Sequence, residues 1–250
     1  MVNKYLKNLN RIEFVVTMAC TGNCKHCSQG DHASTDKIDK FLAADAVIKI
    51  ASKYNITSVM TFGGEPLLCL DTVCEIHKTA RDMDIPKRQL ITNGFFSKDT
   101  DKIKSTAKAL ADSGVNDILL SVDAFHQETI PLKYVKAFAE AVAETGVPIR
   151  VQPAWLVSAE DNNPYNIKTR EILAEFCNMG INANEGNVIF PMGNALKYLG
   201  EYLKPMADNE NPYWENPQDI RAVCFNANGD ILGSNIYKED IEHILLTYKP

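Results

Sequence analysis

Residues 114–123 read GVNDILLSVD, and this stretch contains the pattern from which the rest of the chain can be interpreted. Gly114 follows a segment with helical periodicity, and Val115 follows the glycine, which is a common way for a helix to end. The next run is short and apolar, as buried parallel strands are. The pattern therefore indicates the end of a helix and the start of a strand together. It recurs at 55–56, 146–147 and 180–181, with a looser copy at 84–85.

Outward from this stretch, the chain repeats one strand–helix unit six times. The segments before the glycine or asparagine have apolar residues at helical spacing, as Val135, Phe138, Ala139 and Val142 do. We predict strands near 11–17, 58–62, 88–92, 117–122, 148–153 and 186–190, and helices near 39–54, 71–83, 99–112, 132–145, 166–178 and 194–203. This alternation predicts an α/β fold with a parallel sheet and right-handed crossovers. The local pattern does not decide between an open doubly wound sheet and a partial barrel.

The composition is that of a soluble chain with one large core. Of 250 residues, 45% are hydrophobic, and no apolar run is long enough to span a bilayer. The first eleven residues are basic but lack the apolar stretch of a secretory signal, so we expect a cytoplasmic protein with reduced thiols. Lys and Arg total 26 against 32 Asp and Glu, a formal charge of -6. Without a basic block, general nucleic-acid binding is not expected.

Three of the seven cysteines, Cys20, Cys24 and Cys27, directly follow the apolar run of the first predicted strand. Loops at the carboxyl ends of parallel strands are where α/β folds build their sites. Three unrelated thiols at this density would be unusual. Structural zinc needs four ligands, and no second pair is evident, although His26 and His32 could complete a site. An iron–sulfur cluster is favoured, because thiolates are its natural ligands and three cysteines would leave one iron open.

The spacing C-x3-C-x-φ-C, with His26 at the φ position, resembles the signature of the radical S-adenosylmethionine (radical SAM) superfamily. The resemblance implies a partial (β/α)6 TIM-like barrel with a [4Fe-4S] cluster on the three cysteines. It also implies that S-adenosylmethionine (SAM) is bound at the open iron and that flavodoxin or ferredoxin donates an electron. Such an oxidoreductase would make a 5′-deoxyadenosyl radical that takes hydrogen from a peptide or small-molecule substrate.

Two further motifs occur in the order that this family has. Gly63-Gly64-Glu65 follows the second predicted strand and resembles the family's GGE motif, which holds the methionine amino group of SAM. Missing Cβ atoms would let backbone oxygens approach a ligand closely, although a glycine pair is also a common turn. Asn93, in a Thr-Asn-Gly sequence after the third strand, is expected to line the cofactor cavity.

Polar residues follow the fourth and fifth strands. Ser121 and Asp123 lie two residues apart and therefore on one side of a strand, where the family often places a Ser and an Asp. Asp123 could instead cap the following loop. By the resemblance, Gln152 contacts the ribose and Val188 packs on the adenine. His126 is a candidate substrate contact, although a hydrogen-bonded structural histidine is the commoner role.

The end of the chain departs from the repeat. We predict a barrel over 1–204 and a C-terminal extension over 205–250 that caps it. Asn228-Gly229-Asp230 resembles a hairpin turn, and with Cys224 it resembles the start of the SPASM/twitch auxiliary-cluster domain of peptide-modifying family members. Ser234 and Asn235 stand where a second cysteine would be expected. The extension is therefore expected to carry no cluster, and the remaining cysteines, Cys69, Cys74 and Cys177, to be buried apolar residues.

Three alternatives remain at this point. The chain could install a glycyl radical on a partner protein, since activating enzymes share this core. It could be an iron–sulfur electron carrier or a zinc-binding interaction domain, but the glycine motif and the missing fourth ligand argue against both.

Overall fold

A computed structural model describes residues 3–30, 34–203 and 214–250. The domain boundary predicted at 204/205, and His32, lie outside these residues. The strands are β1 Arg11–Val15, β2 Ser58–Phe62, β3 Lys87–Thr92, β4 Asp117–Ser121, β5 Ile149–Gln152, β6 Ala154–Trp155, β7 Asn187–Val188, β8 Ala222–Phe225, β9 Asp230–Ile231 and β10 Ser234–Asn235. The helices are α1 Lys40–Ala51, α2 Leu70–Asp82, α3 Thr100–Ser113, α4 Ala124–Gln127, α5 Leu132–Thr145, α6 Pro164–Asn178, α7 Asn194–Leu199 and α8 Ile241–Thr247, with a 3-10 helix at Pro66–Cys69.

The main sheet has six strands in the order β5-β4-β3-β2-β1-β8, and every pairing in it is parallel. From β1 to β5 each strand lies beside its predecessor, so right-handed crossovers place all the connecting helices on one face. A doubly wound sheet would instead reverse its strand order and carry helices on both faces. The sheet is therefore that of a partial barrel, and it does not close among the described residues.

The alternation of side chains gives this sheet two different faces. Ile12, Phe14, Ile118 and Leu120 point to the helices and are fully buried in one large apolar core. The residues between them point to the opposite face, which is called the concave face below. Helix ends fit the predicted marks, because Gly114 and Gly146 end α3 and α5 in the left-handed conformation.

The predicted sixth strand forms only in part and lies outside the six-stranded main sheet, although Ala183 just before it bridges in parallel to Val151 of the edge strand β5. Within 186–190 only Asn187–Val188 is strand, and it pairs in parallel with β6. The sixth strand of the main sheet is β8, from the C-terminal extension, which pairs in parallel with β1. Pairing partners depend on contacts between distant segments, which a local apolar run does not contain.

The turn predicted at Asn228-Gly229-Asp230 forms between β8 and β9, and a second turn follows it. Gly229 donates its N–H to Asn226 O, and Asn226 donates its N–H to Asp230 O, so these bonds close the turn. The antiparallel pair β9–β10 is connected through Leu232 and Gly233, both at positive φ. The prediction identified the first of two adjacent turns.

Across the described residues, no helix is long and apolar enough to cross a membrane.

Candidate active site

The cysteine loop, residues 18–30, leaves β1 at the carboxyl edge of the sheet and is held there by the neighbouring loops. Gly64 donates its N–H to Thr17 O and Glu65 donates its N–H to Ala19 O, each at 2.8 Å. On the other side, the Thr21 hydroxyl donates to the carbonyl of Phe95 at 2.6 Å. The loops that follow β1, β2 and β3 therefore converge on one place, as expected for parallel strands.

The three predicted ligands fit a cluster better than a single ion. Among the described residues, one group of three His, Cys, Asp or Glu residues has its ligand atoms within 4.8 Å of one another, and it consists of two histidines and an aspartate. The three cysteines do not form such a group. Thiolates around one tetrahedral zinc would lie about 3.8 Å apart, so the triplet is too widely spaced for zinc. Burial raises the pKa of all three thiols, and the Asp123 carboxylate and then the other two thiols raise that of Cys24 further. Thiols with a raised pKa bind as thiolates only beside cations, which the irons of a cluster would supply.

The glycine pair allows two backbones to come into contact. A Cβ on Gly64 would lie 2.2 Å from Ala19 O, and one on Gly63 would lie 2.5 Å from Thr17 O. Gly63 also has φ +145, which disfavours other residues. Missing Cβ atoms are therefore required here, but for the approach of the chain between Thr17 and Ala19; close approach of a ligand stays a prediction. Contact with the methionine amino group stays a prediction.

Glu65 is completely buried and satisfied by the protein. Its carboxylate accepts the Thr92 hydroxyl at 2.7 Å, the Asn93 N–H at 2.8 Å and the Leu67 N–H at 3.0 Å. Burial raises its pKa to about 7 although these three bonds lower it. Asn93 is also buried, and its side-chain amide donates to Thr21 Oγ1 at 3.3 Å and lies 3.7 Å from Cys20 Sγ. Both predicted residues thus brace the start of the cysteine loop.

Asp123, His126 and His26 form one polar group around a buried carboxylate. Asp123 is fully buried and caps α4, accepting the backbone N–H of His126 at 2.9 Å and its ring Nδ1–H at 2.8 Å. The ring centroids of His26 and His126 lie 4.6 Å apart. Burial lowers the pKa of His26 to about 4, so it is neutral at pH 7. The capping alternative for Asp123 is confirmed, and it does not prevent the carboxylate from also holding His126.

The other predicted cofactor residues lie at the same edge with different surroundings. Ser121 ends β4 directly beside Gln152, which ends β5. Gln152 Oε1 accepts a hydrogen bond from the Asn184 amide, so its position is fixed by the segment after α6. Val188 is 46% exposed, whereas its neighbour Ile189 is buried against Phe125 and Leu156. Of Val188 and Ile189, Val188 is therefore the residue available to a ligand.

Two residues that hold the cysteine loop escaped the sequence prediction. Asn194 donates its backbone N–H to Cys27 O at 2.9 Å and its side-chain amide to Cys24 O at 3.3 Å. Gly193 packs so closely that a Cβ would lie 2.5 Å from Ser28 O. The only signal was a Gly-Asn pair before a helix, which by itself predicts a turn.

Taken together, the partial barrel and the cysteine loop at its carboxyl edge define an α/β enzyme built around a metal cluster. A family model, described as the radical SAM superfamily, matches residues 14–149. The chain belongs to the radical SAM superfamily and is an enzyme that uses a [4Fe-4S] cluster and SAM.

Curated relatives carry the name of one activity. The chain is 27% identical over 225 residues to a probable GTP 3′,8-cyclase of Saccharolobus solfataricus, covering 83% of this chain and 68% of that protein. It is 28% identical over 131 residues to a probable GTP 3′,8-cyclase of Methanocaldococcus jannaschii, covering 51% of this chain but only 41% of that protein. The chain thus spans less than half of one relative and about two thirds of the other.

Solved structures agree on the fold. Streptococcus suis SuiB, solved with bound precursor peptide SuiA, superimposes with a TM-score of 0.63 over 97% of this chain and 65% of that one. The two sequences are 15% identical, so the likeness supports the partial-barrel fold and not a shared substrate.

Proposed function

We propose that this enzyme uses the radical made from SAM to remove a hydrogen atom from a polar small molecule bound on the concave face. The observation that carries the proposal is the chemistry of that face. Glu13, Gln89, Asp117 and Arg150 lie on it, where a filled barrel would have bulky apolar layers. Polar groups in such a place need polar partners, which neighbouring side chains, water or a ligand can supply, and they make this face suited to a polar ligand.

The names of the curated relatives suggest where to begin the search for this molecule. GTP is polar and polyanionic, and the alignment with the Saccharolobus protein includes most of this chain. GTP is therefore our first candidate substrate. A peptide is the second candidate, because Val188 and Leu196 leave apolar surface exposed, at 46% and 56%, and Leu196 lies two residues after Asn194, which bonds the cysteine loop.

The residues divide the work as follows. Cys20, Cys24 and Cys27 hold the cluster, which when bound supplies the electron that converts SAM to methionine and the 5′-deoxyadenosyl radical. We assign the methionine end of SAM to Gly63, Gly64, Glu65 and Asn93. The nucleoside end is assigned to a second set of residues: His26, Ser121, Asp123, Gln152 and Val188. His126 remains our candidate substrate contact, and flavodoxin or ferredoxin in the cytoplasm our candidate electron donor.

The proposal is tested with anaerobically reconstituted protein, dithionite and SAM. We expect 5′-deoxyadenosine and methionine even without substrate, faster release with GTP, and no product from the Cys20→Ala/Cys24→Ala/Cys27→Ala variant. Stimulation by a peptide and not by GTP would establish the second candidate. A glycyl-radical signal on a partner protein in electron spin resonance would establish an activating enzyme. Product from the triple variant would overturn the cluster assignment.

The assignment of Glu65 has its own test. Replacing Glu65 by Gln removes the charge that would attract the methionine ammonium, so we expect SAM to bind about tenfold more weakly to the cluster-loaded protein in calorimetry. The matched control is Glu128→Gln, because Glu128 pairs with Lys25 of the cysteine loop at the surface. Equal affinity in the Glu65 variant, with normal iron content, would reduce the motif to a structural turn.

A further inference from the structure

Arg150 is the one charged residue in a ring of apolar side chains on the concave face. The strand register places Val15 beside Phe62, Ile91 beside Leu119, and Leu119 beside Arg150. Because Thr61 pairs with Leu90, Phe62 and Ile91 are also neighbours. These five residues form one layer across β1 to β5, called the apolar ring here. A cation in such a layer needs a ligand or a partner.

The apolar ring lies directly below the edge where the cofactor residues gather. Arg150 precedes Gln152 by two residues on the same face of β5, and Gln152 lies beside Ser121. Two residues of strand correspond to about 7 Å. A substrate held at Arg150 would therefore lie on the concave face one layer beneath the residues assigned to SAM.

Arg150 is anchored on one side and open on the other. Its Nη2 donates to Asp117 Oδ2 at 3.0 Å, and its Nη1 lies 2.8 Å from Oδ1. The Gln89 amide donates to the same carboxylate at 2.7 Å. The Asp117 side chain is only 10% exposed, whereas that of Arg150 is 38% exposed. Asp117 thus holds the guanidinium through two of its nitrogens, and more than a third of the Arg150 side chain stays exposed.

The Arg150–Asp117 ion pair adds little to the stability of the fold, so a role in binding explains it better. A part-buried ion pair stabilises a fold little more than apolar residues of the same size would. A planar guanidinium held in one orientation is, however, the group best suited to a phosphate or carboxylate, which it binds through two parallel hydrogen bonds.

We propose that Arg150, positioned by Asp117 and Gln89, binds an anionic group of the substrate, a phosphate or a carboxylate. This inference rests on the proposed function only in placing the substrate on the concave face. Arg150 is a specificity residue, since it selects substrates with an anion about one layer below the reacting atoms.

The chain provides a matched control in Arg11. Its side chain is 37% exposed and pairs with Glu13 at 2.6 Å, so it resembles Arg150 in exposure and pairing. It lies on β1 four residues before Val15, about 13 Å below the apolar ring, and so outside the proposed contact.

The test measures protection of single arginines from phenylglyoxal by peptide mass mapping. Cluster-loaded, oxidised enzyme with SAM is treated in phosphate, GTP, acetate or chloride at equal ionic strength. An anion with a Kd of about 1 mM, present at about 10 mM, should slow modification of Arg150 roughly tenfold while Arg11 is unaffected. Protection by phosphate and GTP identifies a phosphate ligand, and protection by acetate a carboxylate. No protection, or equal protection of both arginines, would overturn the proposal.

Variants complete the test. Arg150→Gln should lower the affinity for the protecting anion at least tenfold in calorimetry, and Arg11→Gln should change that affinity less than twofold. Since Arg150→Gln alone leaves Asp117 unpaired, the Asp117→Asn/Arg150→Gln variant is measured as well, and undiminished binding there would also overturn the proposal. No step needs reductant, so failure to form 5′-deoxyadenosine would count against the proposed function and not against this site.

Discussion

Among single residues, Asp123 is the most constrained charge in the site. Burial alone would raise its pKa, but the nearby rings of His126 and His26 and the hydrogen bonds from His126 outweigh burial and hold it well below the usual range. The carboxylate also accepts the Ala154 N–H at 3.1 Å, so it joins α4 to β6. The position of His126 therefore depends on this one carboxylate.

Replacing Asp123 by Asn should lower the free energy of unfolding of the apo protein by about 3 kcal/mol at pH 7. A carboxylate with a depressed folded pKa stabilises the fold above its unfolded pKa of about 4, and this stabilisation is lost as the pH falls below it. The difference in free energy of unfolding between wild type and Asp123→Asn should thus shrink by about 1 kcal/mol at pH 3. Urea unfolding at both pH values measures it. The surface variant Asp112→Asn should stay near wild type, and a pH-independent difference would contradict the assigned charge.

Residue types at the site could be predicted from sequence, but their partners could not. Cys20, Cys24 and Cys27 are recognisable because their spacing is local. Glu65 looked available to a ligand, yet its carboxylate is bonded to Thr92 and Asn93 across the sheet. Those contacts depend on the register between β2 and β3, which no local motif encodes.

Among the elements, the turn after β2 determines the position of the cysteine loop. Gly64→Ala would place a Cβ 2.2 Å from a backbone oxygen that has no flexible end to move aside. We expect the loop to shift and the reconstituted iron content to fall severalfold. Gly146→Ala is the control, because a Cβ there meets nothing within 4 Å and only its positive φ is strained, at about 1 kcal/mol. Full iron in Gly64→Ala would show that the loop is positioned independently of this contact.

Elements with strong periodicity matched the sequence prediction, and elements defined by pairing did not. The strand at 58–62 and the helix at 132–145 have the predicted bounds, because an apolar run or a helical face specifies each one locally. The segment 186–190 has an equally apolar run but forms only two residues of strand. AVCF at 222–225 was not predicted as a strand of the sheet, yet it pairs with the edge of β1.

At the scale of the whole molecule, the extension is part of the core. Phe225 of β8 stacks on Phe14 of β1 with ring centroids 4.7 Å apart, and both are fully buried. Phe225→Ala should therefore destabilise the protein by about 3–5 kcal/mol in urea unfolding. Leu246→Ala, at a site 55% exposed in the same extension, should cost less than about 0.5 kcal/mol. If both variants lost equally little stability, the extension would be a detachable cap, closer to the division that we predicted.

The last prediction concerns how many clusters the molecule holds. All seven cysteines lie in the described residues, and the triplet leaves Cys69, Cys74, Cys177 and Cys224. These four belong to four separate elements: the 3-10 helix, α2, α6 and β8. The Cys74 thiol lies against the carbonyl of Ala109 on the helix side of the sheet, whereas Cys224 pairs in register with Glu13 on the concave side. Thiols on opposite faces of one sheet cannot ligate the same cluster.

We therefore expect about four irons and four sulfides per chain after anaerobic reconstitution. Cys224→Ser should leave that count unchanged, because its thiol faces Glu13 and no second cysteine. Cys20→Ser, the matched change in the triplet, should remove most of the iron, since the cluster would keep only two protein ligands. Iron near eight per chain, falling by half in Cys224→Ser, would require a ligand set that includes residues beyond this arrangement. That result would also favour the peptide substrate, because the auxiliary-cluster hairpin that Cys224 resembles belongs to peptide-modifying enzymes.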